Sequence, residues 1–510
     1  MKMKNITFYS RNLAAVGLLL TAVACGGSAG GGGNVKSVEN ASKEDPAVDA
    51  KAAAGYKEAL DAFAGNDRSG WSPAACDDIA QRFMKAAADQ KSAGGRNFPE
   101  AYYNAGLAHQ RCGDDEKAKA SFKEASQIDK EFHRPRAQLA LYRYKENGNI
   151  DAAIQELDQI IRDAKFQNVE GLVALAALQM QRGGSASGPG CKNDLSCAQL
   201  NLQRSLALDD AFMPAFNQLA LYYLEQARGG SGKDRGELVV AGSKKKRVNK
   251  QRLDLAALVA SQAQMKNPNY APIHNTTGLI LVELENYNGA VKAFGRARKL
   301  NPKLFEAQMN YAAVSLSFRG FGEAATAYRE AIKLQPKTYE AHLGLALALR
   351  GMISNANYDK NVAEAQKHLD EAKKIAPNRA EAFYNEAILT EEYRAKKAVN
   401  DSAKIKEFEK AKAQYESFVR NAQGKSAYKD AIKVSEGRIE DIEATVAFMR
   451  DGVKMAAEQK KFEAQMKKDA AAKKEADKKA AAAKKADVKK KDTKKVPPAK
   501  GDKPAPAKKK

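Results

Sequence analysis

Histidine is scarce in this chain, five residues in 510, and none of His109, His133, His274, His342 or His368 stands in an H-E-x-x-H or comparable metal pair. That excludes the common helix-borne zinc hydrolases, and no metal is expected. A serine elbow and a nucleophile-plus-base signature are lacking as well. The string Gly229-Gly-Ser-Gly-Lys233 lacks the first glycine of G-x-x-x-x-G-K, has Asp234 where Ser or Thr is required, and follows a helical segment instead of a strand. It reads as a loop. No cofactor and no enzyme activity are expected. Aromatics make up 7% of the chain with a single tryptophan, and the basic segments 244–250 and 461–510 contain none interleaved for stacking on bases. Of those aromatics, Phe462 alone falls inside either segment. Nucleic-acid binding is therefore not expected, although the net charge is +23. The apolar stretch 13–20 is too short to cross a membrane as a stable helix.

What is present in abundance is a period. Ala290, Phe294, Ala297 and Pro302 return 34 residues later as Ala324, Tyr328, Ala331 and Pro336. Ala256, Ala260, Ala263 and Pro268 hold the same places one step earlier, and Gly278, Ala312 and Ala346 keep the step on the preceding segment. Small residues at fixed spacing allow two helices to approach closely, large apolar residues at helical spacing fill the space between pairs, and a proline ends the second helix. Turn residues interrupt the pattern about every fifteen positions, which argues against a continuous coiled coil.

This is the period and residue pattern of the tetratricopeptide repeat (TPR), and residues 50–420 resemble such an array. Tyr102, Gly106, Ala118, Phe122 and Ala125 make a further good match. Weaker units carry Leu141, Tyr144, Ala153 and Leu157; Leu175, Leu178, Ala198 and Leu202; and Phe216, Leu219, Ala220 and Tyr223 with a second helix at 251–266. Later ones carry Ala346, Ala365, Leu369, Ala372 and Pro377, then Phe383, Ala387, Ala411 and Tyr415. An opening unit would place Ala80, Met84 and Ala87 on its second helix. The resemblance implies an all-α fold: a TPR α-solenoid, a superhelix of eight or nine helix hairpins over residues 49–424, with loop insertions near 183–197 and 228–250. A capping C-terminal helix is expected at 425–460, and a disordered Lys/Ala/Pro-rich basic tail at 461–510. That tail holds nineteen lysines against seven acidic residues and has no evident apolar stripe.

Lys2, Lys4 and Arg11 before the apolar stretch, then Ala22 and Ala24 before Cys25, resemble a bacterial lipoprotein signal. The resemblance implies cleavage after residue 24, acylation (palmitate among the chains) at Cys25, and a glycine-rich tether over 25–48. Gly26 in place of Asp favours sorting to the outer membrane, with the protein facing the periplasm. Four cysteines then remain for an oxidising compartment. Cys191 and Cys197 could close a small loop, and Cys76 with Cys112 would fall on adjoining ends of antiparallel TPR helices.

In TPR proteins the first helix of each hairpin lines a groove. The matching positions here are Tyr103, Asn104 and Leu107; Asn217 and Leu221; Asn275 and Leu279; Met309, Asn310 and Ala313; Leu343, Leu347 and Arg350; and Tyr384, Asn385 and Ile388. Amides there suit a peptide backbone and apolar side chains suit a partner's anchors. The lysine/asparagine clamp for C-terminal carboxylates is absent from these positions. The whole layout resembles the TPR lipoproteins of the myxobacterial adventurous gliding-motility apparatus, which implies an envelope scaffold binding other complex subunits, with the tail on peptidoglycan or acidic surfaces. A pilotin or assembly factor for a type IV pilus or secretion channel, and an adaptor for peptidoglycan enzymes, stay open as alternatives.

Overall fold

The computed structural model describes residues 48–69, 71–95, 97–229 and 249–492. Residues 1–47, with the signal, Cys25 and most of the tether, lie outside it, as do most of the 229–233 string, the 244–248 part of the basic cluster, and 493–510. The described residues form two compact units, one up to Ala382 together with Ala422–Asp430, the other made of Phe383–Asn421 and the chain from Ala431 onward.

The first unit is an all-α solenoid of TPR type built from eight hairpins. They are α1 (Ala50–Ser69) with α2 (Pro73–Ser92), α3 (Pro99–Arg111) with α4 (Asp115–Ile128), α5 (His133–Asn147) with α6 (Ile150–Asp163), and α7 (Val169–Arg182) with α8 (Asp194–Leu208). Next come α9 (Met213–Ala227) with α10 (Lys250–Lys266), α11 (Ala271–Glu283) with α12 (Tyr287–Leu300), α13 (Phe305–Ser317) with α14 (Phe321–Leu334), and α15 (Tyr339–Gly351) with α16 (Tyr358–Ile375). We call the first helix of each pair A and the second B. Each helix packs on its neighbours in sequence, and from α5 to α15 each A helix also touches the next A helix.

Residue size dictates the spacing. Ala290, Ala297, Ala324 and Ala331 are fully buried, as are Phe294 and, nearly, Tyr328. A Cβ added to Gly278 would stand 2.4 Å from the Phe294 ring, and one on Gly106 would stand 2.6 Å from Phe122. The ring of the B helix therefore occupies the space that a glycine leaves on the A helix. Gly344 makes the same accommodation for Tyr328 of the preceding hairpin, at 2.2 Å, a contact that falls off the 34-residue step. Six of the eight B helices start at side-chain caps: Ser72, Asp114, Asn149, Asn193, Asn249 and Asn286 each accept the backbone N–H three residues on.

Connector lengths are asymmetric. Five B-to-A connectors are four residues long, at 129–132, 209–212, 267–270, 301–304 and 335–338, and the two longest connectors, 183–193 and 228–249, each lie between an A helix and its own B helix; 93–98 (B-to-A) and 352–357 (A-to-B) are six residues each. The opening hairpin is present, with Ala80 and Ala87 buried, but Met84 points outward and Phe83 takes the core position beside them. The insertion expected at 183–197 ends at residue 193, so Cys197 sits in the first turn of α8.

The second unit holds α17 (Glu381–Leu389), continuing as a π-helical turn (Thr390–Ala395), then α18 (Asp401–Ala422) and α19 (Lys429–Asp492). Ile442 and Val446 of α19 pack with Ala387, Ile405, Ala411 and Tyr415. The buried Glu391 accepts from Tyr415 Oη at 2.8 Å and pairs with Arg438 Nη1 at 2.8 Å. The boundary expected between a capping helix and a tail at 460/461 falls inside α19, which runs unbroken to Asp492. Alanine and lysine are strong helix formers and no glycine or proline intervenes after Gly452.

Candidate docking surface

The A helices carry every residue expected to face a groove, and the structure divides that set. Tyr103, Asn104, Asn217, Leu221, Asn275, Leu279, Met309, Asn310 and Ala313 are buried, none more than 9% exposed. Leu107, Leu343, Leu347 and Arg350 in the first unit, and Tyr384, Asn385 and Ile388 in the second, are half-buried. Four of the five asparagines in that set, Asn104, Asn217, Asn275 and Asn310, are buried and bonded to a neighbouring repeat. Asn310 Nδ2 donates to Asn275 Oδ1 at 2.9 Å, Thr276 Oγ1 donates to Asn217 Oδ1 at 2.6 Å, and Asn104 Nδ2 donates to Tyr56 Oη. Each bond joins two successive A helices. Where A helices touch, the side chains between them close over, and buried amides need partners from the neighbouring repeat. Burial also pushes the Tyr103 phenol up to about 12, and the Arg134 guanidinium lies 4.9 Å over its ring while pairing with Glu170.

A second set of polar contacts, missed in the sequence, fixes each A helix to the connector before it. His274 Nε2 donates to the Pro268 carbonyl at 2.8 Å, Gln308 Nε2 to Pro302 at 2.8 Å and His342 Nε2 to Pro336 at 2.9 Å. Donor and proline both recur every 34 residues, so the periodic proline signals a carbonyl to be satisfied as well as a helix end. With its Nε2 protonated, His342 accepts at Nδ1 from His368 Nδ1–H, 2.9 Å away on α16. Burial first, then the neighbouring His342, pushes His368 down to about 4. These histidines are structural.

Cys76, in the first turn of α2, is joined to Cys112, the residue closing α3, with a Cα–Cα distance of 6.4 Å. Cys191 and Cys197 are joined at 4.9 Å across the start of α8. Beside them Arg182 holds the buried Asp194 with two bonds, Nε at 2.7 Å and Nη2 at 2.6 Å, while Gly184 N–H donates to the same carboxylate at 2.7 Å. The 183–193 extension is thus pinned at both ends. No described helix is long and apolar enough to cross a membrane, and among the described residues no group of three or more His, Cys, Asp or Glu side chains could hold a metal ion.

What the A-helix layer can do chemically is present apolar and polar contact from a wall whose geometry is set by repeats behind it. Leu343, Leu347 and Arg350 recur at helical spacing along one face of α15 and supply both kinds.

A tetratricopeptide-repeat family model matches residues 99–132, the segment of α3, α4 and the connector after them. No curated protein matches the sequence. Solved structures similar to the chain include TTC0263, a thermophilic TPR protein of Thermus thermophilus, at 23% identity over 43% of this chain and 99% of that one, with a TM-score of 0.34. A tetratricopeptide repeat protein of Parabacteroides merdae is 15% identical over 60% and 98% of the two chains, with a TM-score of 0.34. The pilF protein of Pseudomonas aeruginosa is 16% identical over 51% and 95%, with a TM-score of 0.36.

Proposed function

We infer that this protein is a non-enzymatic scaffold that docks other envelope proteins on its A-helix wall and is held by acyl chains on Cys25 at the periplasmic face of the outer membrane. The observation that carries the docking half is the run of eight stacked hairpins whose A helices adjoin one another, leaving Leu343, Leu347 and Arg350 half-exposed on α15. TPR solenoids bind partner proteins through such layers. The anchoring half rests on Lys2, Lys4 and Arg11, the apolar stretch 13–20, and Ala22-Val-Ala-Cys25 followed by glycines. Acyl chains contribute about 0.8 kcal/mol per buried CH₂, so two or three hold a protein firmly. Within this reading the scaffold serves a gliding-motility machine, as the layout of signal, tether, solenoid and basic extension suggests, and the two cysteine pairs form in the oxidising periplasm.

Two variants test the halves separately. Cys25→Ala should abolish palmitate labelling and release the protein from the outer-membrane fraction while leaving the solenoid folded. Leu343→Glu with Leu347→Glu should keep the label and the fractionation but lose the envelope proteins that crosslink to the wild type, and cells carrying it should stop gliding. Unlabelled wild type would sink the anchor, and unchanged crosslinking in the double variant would sink the wall.

A further inference from the structure

The amide bonds between A helices span 35 to 59 residues, but one bond in the same unit spans 232. Lys303 Nζ, in the link between α12 and α13, donates to the Trp71 carbonyl at 2.9 Å. Trp71 belongs to the A-to-B turn of the first hairpin, and Lys303 to the B-to-A link after the sixth. Packed helices lie about 8–10 Å apart, so at one helix spacing per hairpin an uncurled stack would hold these two places about 50 Å apart. The contact therefore requires the ribbon of hairpins to come round a full turn, one rim of its start meeting the opposite rim further on. A helices touch one another from α5 to α15, and successive B helices do not pack together to that extent. The A-helix wall is thus on the inner side of the curve.

Both sides of this meeting point are held by their own repeats. Arg111 and Cys112, consecutive residues at the end of α3, grip the two flanks of the first turn. Arg111 Nε and Nη2 donate to Asp67 at 2.8 and 3.1 Å, and Cys112 is bonded to Cys76. The same Asp67 carboxylate accepts the Trp71 indole N–H at 2.8 Å, and the Trp71 ring stands edge-on to Phe63 at 4.8 Å. On the other side, Asn301 Oδ1 accepts the Lys303 backbone N–H at 3.0 Å, and Gln308 grips Pro302. Neither backbone has to be ordered for the contact to form, so little conformational entropy opposes it. What joins them is the side chain of one exposed lysine, and an exposed bond competes with water. Such a joint can shut and open. Asp67, Asp77 and Asp78 lie on the same edge as Trp71 and favour a cation there.

We propose that Trp71 and Lys303 form a latch that closes hairpins one to six into a ring, so that bulky partners reach the inner wall of that section only when the latch is open. Leu107, on α3, belongs to the closed section, whereas Leu343, Leu347 and Arg350, on α15, lie beyond it. The consequence for partners rests on the docking role of the A-helix wall; the closure itself does not.

The test uses the full chain carrying Cys25→Ala, in which the four remaining cysteines are paired. Spin labels on Ala74→Cys and Lys299→Cys, both exposed positions, should report one distance well below the about 50 Å of an uncurled stack. Adding Lys303→Glu, which sets a like charge against the acidic edge, should lengthen that distance, and Lys303→Arg should keep it short. A maleimide borne on a long polyethylene glycol chain should modify Leu107→Cys about fivefold faster once Lys303→Glu opens the ring. It should modify Leu347→Cys at one rate with or without that change. Circular dichroism should show the same helix content throughout. A long distance in the parent protein, or one that Lys303→Glu leaves unchanged, overturns the closure. Equal rates at Leu107→Cys overturn the gate. None of these readouts involves a partner, so a failure of the docking role would leave them as they are.

Discussion

At Gly278 and Gly106 the absence of a Cβ is what seats Phe294 and Phe122, both fully buried. Each ring shares its helix face with fully buried alanines, Ala290 and Ala297 beside Phe294, Ala118 and Ala125 beside Phe122. Gly278→Ala or Gly106→Ala is expected to destabilise by about 1–3 kcal/mol, as overpacking does, even though alanine favours helix over glycine; urea unfolding would read the sign directly. Titration acts at the same scale. His368 is pushed down to about 4 by burial and by His342, whereas an unfolded histidine titrates near 6.5. Between those values the unfolded chain binds more protons, so this contribution is complete above about pH 6.5 and is lost as pH falls toward 4. Burial lowers His109 and His274 as well, with the same sign. Lowering the pH from 7 to 5 should cost the wild type about 1–2 kcal/mol at the His342–His368 pair, discounted for the partly exposed ring. His368→Asn, which keeps a donor for His342, should flatten that part of the slope in thermal melts. What the sequence showed at this scale was which positions are small and which carry rings. It did not show rotation about the helix axis: Met84 and Phe83 are neighbours and equally apolar, and only packing decides which turns inward.

For the elements, the period located hairpins well because a 34-residue unit leaves little freedom in helix length. It falls short at α7–α8 and at α19. In the first, Asp194 begins a helix through its neighbour Asn193, whose side chain accepts the Ser196 N–H at 2.9 Å; a capping box inside an apparent insertion is easily read as loop. In the second, a change of composition is not a change of structure, since lysine and alanine continue a helix as readily as they end a domain. The groove asparagines mislead for a related reason: the sequence places an amide on a helix face but not the neighbouring helix that satisfies it. The α2–α3 pair also carries a prediction. The Cys76–Cys112 link closes a separation of 36 residues, and the chain-entropy account gives it about 3–4 kcal/mol. The Cys191–Cys197 link closes only 6 and is worth about 2 kcal/mol. Reductant should therefore lower the melting temperature, and Cys76→Ser/Cys112→Ser should account for most of the loss; peptide mapping without reduction would identify both pairs.

On the scale of the molecule, burial is continuous but local. One cluster of buried residues runs from Val173 to Val314, another from Tyr103 to Leu178, and a third from Tyr56 to Ala108. Each hairpin relies on its neighbours, so stability should behave as a sum of near-neighbour terms. Leu224, fully buried on α9, offers the test. Leu224→Ala should cost about 2–5 kcal/mol locally, and hydrogen exchange should quicken in α7–α12 while α1 and α2 keep their wild-type rates. Equal acceleration everywhere would mean that the solenoid opens as one body.

The unequal connectors have a bearing on how such a chain can change. The short B-to-A links hold the proline carbonyls that His274, Gln308 and His342 grip, so lengthening one would pull two repeats out of step. The A-to-B turns lack that periodic proline contact, and the two longest connectors, 183–193 and 228–249, lie there. The rim of the A-to-B turns has thus taken the long insertions, while the proline-gripped links of the opposite rim keep one length. A foreign epitope placed in 183–193 should leave the array intact, whereas the same epitope in 301–304 should break it, which makes that permissive rim the natural place for evolution, or an engineer, to graft a new specificity.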